Sequence, residues 1–206
     1  CSVVIMCSVE WLLERNRDND KHEDGYMSDA FLCGYTLNGD GLGTPVKQEG
    51  LRRLGAETPP VWIQLSAHAP AAIQWLEDDA ALPDDTLIQA LFAEDTRPRL
   101  LSRNGGVLLI LRGVNLNQSA EPEDMVSIRI WAEPQRLISV QLRDLRGVAE
   151  MRQHLESGSG PTDIGDLIAT FIEGSIARMS PVMRDLADSI DEMEDRILSA
   201  QLHGLR

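Results

Sequence analysis

The sequence predicts an α+β fold: a mixed, largely antiparallel sheet flanked by helices, followed by a C-terminal helical hairpin. Three observations carry this. Val61 to Leu65 (VWIQL) alternates like a strand and runs directly into helix signals, the start of a βα unit. Leu100-Leu101, Val107 to Val114, Met125 to Trp131 and Leu137 to Leu142 are four strand candidates, and their short spacing is that of an antiparallel meander. From Arg146 onward the apolar period becomes helical, interrupted at Ser157 to Pro161.

Element by element, Phe31 to Leu37 has strand composition and stops at Asn38-Gly39-Asp40-Gly41-Leu42-Gly43, where Asn-Gly and Asp-Gly are turn signals. A phosphate-binding loop is not supported there, because the Gly-Lys-Ser/Thr ending is absent and no helix signal follows. Pro59-Pro60 precedes the strand at Val61. Pro70 then opens a helix with Ile73, Leu76 and Trp75 toward one side, ending before Pro83. Asp84 or Asp85 caps a second short helix carrying Leu87, Ile88, Leu91 and Phe92, broken by Asp95 to Pro98. The four strands follow, with breaks at Asn104-Gly105-Gly106, Asn115 to Asp124 and Glu133-Pro134. A helix with Val148, Met151 and Leu155 ends at Ser157 to Pro161 (SGSGP), the main internal boundary. Thr162 or Asp163 caps a helix with Ile164, Leu167, Ile168, Phe171 and Ile172, and Pro181 starts or kinks another. In that last helix Val182, Leu186, Ile190, Met193 and Ile197 form one apolar stripe that needs a partner.

Composition bounds the function. An apolar share of 43% and a charged share of 25% are those of a globular chain, which sets aside disordered, collagen-like and disulfide-scaffold classes. Thirty-three acids against 19 Lys and Arg give a net charge of −14, which repels phosphate backbones and favours cations or basic partners. Cys1, Cys7 and Cys33 have no C-x-x-C spacing, so a reducing compartment is expected. The longest apolar run, Val107 to Leu111, is far short of the roughly 20 residues of a membrane span. Residues 1–26, with the charged run Glu14 to Asp24, read as an extension of non-native character, Met27 as the natural start, residues 27–157 as an α/β domain, and 161–206 as an acidic helical hairpin.

No catalytic constellation emerges. His22, His68, His154 and His203 are scattered, no serine lies in G-x-S-x-G, and the chain is expected not to be an enzyme. The densest chemical signal is Asp185, Asp188, Asp191, Glu192, Glu194 and Asp195, six acids in eleven residues. Asp188 with Glu192, and Asp191 with Asp195, are like-charge i,i+4 pairs that oppose the helix by a few tenths of a kcal/mol each. A divalent cation, zinc or magnesium, relieves that repulsion, and Asp188, Glu192 and Asp195 with His203 two turns on are the candidate ligands. The competing reading is a solvated acidic face paired in place with Arg184 and Arg196.

The order FAEDTRPRLL (Phe92 to Leu101), VLLILRGVN, DMVSIRIW with RLISVQ, GPTDIGDLI and DLADSIDEMEDRIL resembles the cytoplasmic N-terminal domain of CorA-type divalent-cation transporters, with TRPR and GPTD most similar to the ZntB zinc-transporter branch. That resemblance covers about residues 30 to 203. It implies an α/β/α sandwich, a C-terminal acidic helical hairpin, and assembly into a homopentameric funnel in the bacterial inner membrane. It also implies a stalk and membrane helices beyond Arg206, with this part facing the cytoplasm. Magnesium-channel relatives carry a cation-binding acid on the helix before the Arg-Pro pair, where this chain has Gln89-Ala90, so that sensor is not carried over. The alternative reading is a soluble regulatory or scaffold module whose apolar stripe binds a partner helix.

Overall fold

Burial on both faces of the strand at Val61 organises the architecture. The protein is described by a computed structural model at residues 27, 29–51, 59–78, 80, 82, 84–94, 97–117 and 125–204; the expected extension 1–26 lies outside the described residues. The elements in chain order are β1 (Phe31–Leu37), β2 (Gly43–Pro45), α1 (Gln48–Leu51), β3 (Val61–Ser66), α2 (Pro70–Asp78), α3 (Asp85–Phe92), β4 (Arg99–Arg103), β5 (Gly106–Gly113), β6 (Val126–Glu133), β7 (Arg136–Gln141), α4 (Arg146–Ser157) and α5 (Ile164–Gly204).

The strands form one sheet in the order β2-β1-β3-β7-β6-β5-β4. β4 to β7 make the expected antiparallel meander, while β3 pairs parallel with β7 in the register Val61↔Arg136 through Ser66↔Gln141. A parallel pair needs a long crossover, here built from α2, α3 and the meander itself. Helices α2 and α3 cover one face, where Ile63, Leu65, Ile110, Trp131 and Ile138 meet Trp75, Leu76 and Leu91. Helices α4 and the first part of α5 cover the other, where Trp62, Ile130 and Leu137 meet Met151, Leu155, Leu167 and Phe171. The result is the expected α/β/α sandwich on a mixed, largely antiparallel sheet.

Caps and close approaches set the element ends. Asp84 caps α3, its Oδ1 accepting from the Thr86 and Leu87 amides at 2.7 and 3.3 Å. Asp163 caps α5 through the Asp166 amide at 2.9 Å, while the Asp166 carboxylate accepts from the Thr162 amide at 3.0 Å. Gly41, at φ +87°, lies so close to the Gly158 and Gly160 carbonyls that a Cβ would stand 2.9 and 3.0 Å from them. The Gly160 amide also donates to the Gly41 carbonyl at 2.9 Å. The glycine cluster is therefore a turn docked on the SGSGP linker.

The C-terminal part differs from the expected hairpin. α5 is one helix of 41 residues that passes through Pro181. Proline removes one N–H and crowds the carbonyl four residues back, at Ala177, but both residues are exposed, so water can satisfy that carbonyl and the flanking Met, Arg and Ala continue the helix. The expected boundary at SGSGP is likewise a turn between two packed helices, because Ile164, Leu167 and Phe171 share one core with Leu155. α5 leaves the body after Arg178: every residue from Met183 to Leu198 is exposed. At the opposite extreme of the sheet, every residue of the edge strand β4 is exposed, including Leu100 and Leu101.

The tightest close approach is at Gly106, where a Cβ would stand 2.3 Å from the buried Trp131 ring. Gly106→Ala is expected to cost about 3 kcal/mol, because a ring without free volume has nowhere to move. Urea unfolding checks this, and a loss under about 0.5 kcal/mol contradicts it.

Candidate functional site

On α5, Asp188, Glu192 and Asp195 fall on one exposed face, turned away from the stripe Leu186, Ile190, Met193 and Ile197. This spacing follows from 3.6 residues per turn and shares negative potential among the carboxylates. Among the described residues no group of three or more His, Cys, Asp or Glu side chains converges closely enough to hold a metal ion. The backbone of His203 belongs to α5, and its side chain lies outside the described residues. The stripe is as open as the acids: Leu186, Ile190, Met193 and Ile197 are 54, 49, 60 and 58% exposed.

The root of α5 carries more polar structure. A cleft of about 50 Å³, enough for a few waters, opens between the end of β5 and α4, with Asn115, Asp144, Arg146 and Arg178 on its wall. Arg178 Nη1 meets Glu150 Oε2 at 2.5 Å. Its guanidinium lies where a Cβ on Gly147 would come within 2.6 Å and one on Gly174 within 3.1 Å. Sequence reasoning missed this seat, since neither glycine is at a turn and the residues come together only when α4 and α5 pack.

Two further groups are strongly perturbed. Arg129 is fully buried on the α3 side of the sheet; its Nη2 donates to the Ala93 carbonyl at 2.7 Å, while Nε and Nη1 have no hydrogen-bond partner. Burial pulls its pKa down to about 10. It holds the end of α3, where a cation also meets the negative end of the helix. On the opposite face Tyr35 donates to Glu156 at 2.6 Å and stacks on Trp62 at 6.0 Å, fastening β1 to α4. Cys33 sits beside this group, and burial pushes its thiol up to about 11, partly offset by Arg152. Perturbed groups mark active sites when they line a cleft. These do not line the cleft at the α5 root, and their partners are structural.

With fold and surfaces in view, the comparisons decide the family. Residues 58–205 match the family described as CorA-like Mg2+ transporter protein. The chain belongs to that family. The CorA-like match is supported by the divalent cation transporter CmaX of Pseudomonas aeruginosa, 37% identical over 170 residues that span 82% of this chain and 51% of CmaX. The zinc transport protein ZntB of Pectobacterium atrosepticum is 31% identical over 168 residues, 82% of this chain and 50% of ZntB. The crystal structure of the ZntB cytoplasmic domain from Vibrio parahaemolyticus aligns with a TM-score of 0.67 at 28% identity, over 79% of this chain and 64% of that one. The chain spans about half the length of the curated relatives it matches. No helix among the described residues is long and apolar enough to cross a membrane. Gln89 stands exposed on α3.

The raised Cys33 pKa has a defined sign. The folded state keeps the thiol neutral while the unfolded chain ionises near 9, so the contribution is present below pH 9 and is lost as pH rises toward 11. Cys33→Ala is expected to flatten that part of the stability–pH curve, by about 2 kcal/mol between pH 8.5 and 11. Urea midpoints across that range check it, and a parent and variant that fall in parallel contradict it.

Proposed function

We propose that this chain is the cytoplasmic part of a divalent-cation transporter of the CorA-like family, with zinc as the favoured ion and magnesium the alternative. In this reading the full-length protein is a homopentamer in the bacterial inner membrane, and its role is transport, with no enzymatic step. The observation that carries the reading is the union of this α/β/α body with a projecting acidic helix in a chain of that family. The six acids between Asp185 and Asp195 raise the local cation concentration without a tight site, and Asp188, Glu192, Asp195 and His203 are the residues proposed to meet the ion.

Thermal unfolding tests the ion. A site occupied at a hundred times its dissociation constant stabilises by about 2.7 kcal/mol, whereas diffuse screening gives less and is matched by sodium chloride. Zinc is expected to stabilise the parent beyond sodium chloride of equal ionic strength, and Asp188→Asn with Glu192→Gln and Asp195→Asn to lose that excess. Equal shifts by zinc and sodium chloride, or an excess retained in the triple variant, reduce the acids to a solvated face.

The exposed stripe favours a second reading, a soluble module that binds a partner helix. The reading frame beyond Arg206 separates the two: two hydrophobic segments of about 20 residues support the transporter, and an immediate stop supports the module.

Assembly gives a further expectation. The α/β/α body buries the apolar layers on both sides of its sheet internally, so dilute chain is expected to be monomeric or in small assemblies. A stable pentamer by light scattering would place the assembly determinants within residues 27–206.

A further inference from the structure

We propose that α5 is a clamped lever: Arg178, seated between Gly147 and Gly174 and paired with Glu150, fixes its root to α4, and Pro181 is the hinge about which Val182–Gly204 swings relative to the sheet. This is independent of the transport reading, since it concerns only how one helix leaves its domain.

Three observations meet within a single turn. The first is the clamp. The side chain of Arg178 crosses from α5 to α4, where its Nη1 reaches Glu150 at 2.5 Å, and the space for its planar head exists because residues 147 and 174 have no Cβ. Upstream of it the helix is held by Ile164, Leu167 and Phe171 in the core, with Phe171 edge-on to Trp62 at 5.6 Å. The second is the loss of tertiary hold just after the clamp. Beyond Arg178 the side-chain hydrogen bonds of the described residues, Ser180 to the Ile176 carbonyl, Arg184 to the Ser180 carbonyl and Ser189 to the Asp185 carbonyl, all stay inside the helix. The third is the backbone. Pro181 removes the bond to the Ala177 carbonyl, and the Ser180 hydroxyl competes for the Ile176 carbonyl at 3.0 Å, so two adjacent carbonyls of one turn are weakened. Sharp helix bends occur at such places.

The three act in series. Because the clamp lies three residues before the proline, bending there leaves the sandwich undisturbed and is transmitted whole to the distal part. That part is 23 residues long in helical rise, roughly 35 Å, so a small angle at Pro181 sweeps its acids and apolar stripe through many ångströms. A helix without the proline would carry them as a rigid rod.

Pulsed electron–electron resonance on the intact chain measures this, with Cys1 and Cys7 replaced by Ser and Cys33 left buried. One nitroxide is attached at Glu77→Cys on α2, and the second at Glu173→Cys in the root or at Glu194→Cys in the lever. The root distance is expected to be narrowly distributed and the lever distance broad. Pro181→Ala, which favours the helix and leaves the core untouched, is expected to narrow the lever distribution about twofold, to the width of the root. Gly174→Leu, which evicts Arg178 from its seat, is expected to broaden the root distribution as well. A lever distribution already as narrow as the root, or one that stays broad in Pro181→Ala, overturns the hinge; a root distribution unchanged in Gly174→Leu overturns the clamp.

Discussion

The parallel pairing of β3 with β7 is the constraint on which the rest of the molecule depends. It joins residues far apart in the chain, and a parallel pair is stable only where both of its faces are covered. Every residue from Val61 to Leu65 is buried, so the strand cannot be left half-solvated and helices must arrive on both sides. The pairing also creates a polar requirement inside the core. Trp62 Nε1 donates to Ser139 Oγ at 2.7 Å, and the Ser139 hydroxyl donates to Gln64 Oε1 at 2.5 Å. Gln64 lies opposite Ser139 only in this register, with Trp62 reaching the same hydroxyl diagonally, and a slip by one residue would strand three buried polar groups.

The two faces of that sheet do different work. On one, α2 and α3 close a conventional apolar layer against Ile63, Ile110 and Ile138, with Arg129 tying off the end of α3. On the other, Trp62 is the common neighbour of Tyr35 and Phe171, so β1, the sheet centre and the root of α5 share one aromatic contact. The chain thus commits most of its apolar surface to holding a base, and places its densest charge on the part that leaves it. That division suits a domain that presents a long helix at a defined starting angle.

Much of this was legible in the residues, and the illegible parts share a cause. Strand positions could be read because alternation and turn dipeptides are local signals, and the caps were narrowed to Asp84 or Asp85 and to Thr162 or Asp163 for the same reason, with the structure choosing Asp84 and Asp163. The strand at β6 was legible, whereas the burial of Arg129 within it was not, since it depends on helices covering the sheet on both sides. Pro181 reads as the start or kink of a further helix, and one continuous helix passes through it instead, because an exposed carbonyl loses little when water replaces the missing amide. The acids of α5 were plain in the sequence, whereas the seat of Arg178 could not be, since its two glycines lie on helices whose docking is a tertiary event.

The edge strand β4 has a bearing on how such a chain survives at high concentration. Its outer backbone groups are unpaired within the sheet and its two leucines are open, the properties of a template for aggregation. Yet a second copy aligned antiparallel about Leu101 would set Arg99 against Arg103 and Arg103 against Arg99, like charges directly opposed at both ends of the ladder. Pro98, with no amide to donate, guards the strand entrance. The sheet therefore carries its own stop signal at this end, an electrostatic toll on self-templating that does not hinder partners of opposite charge.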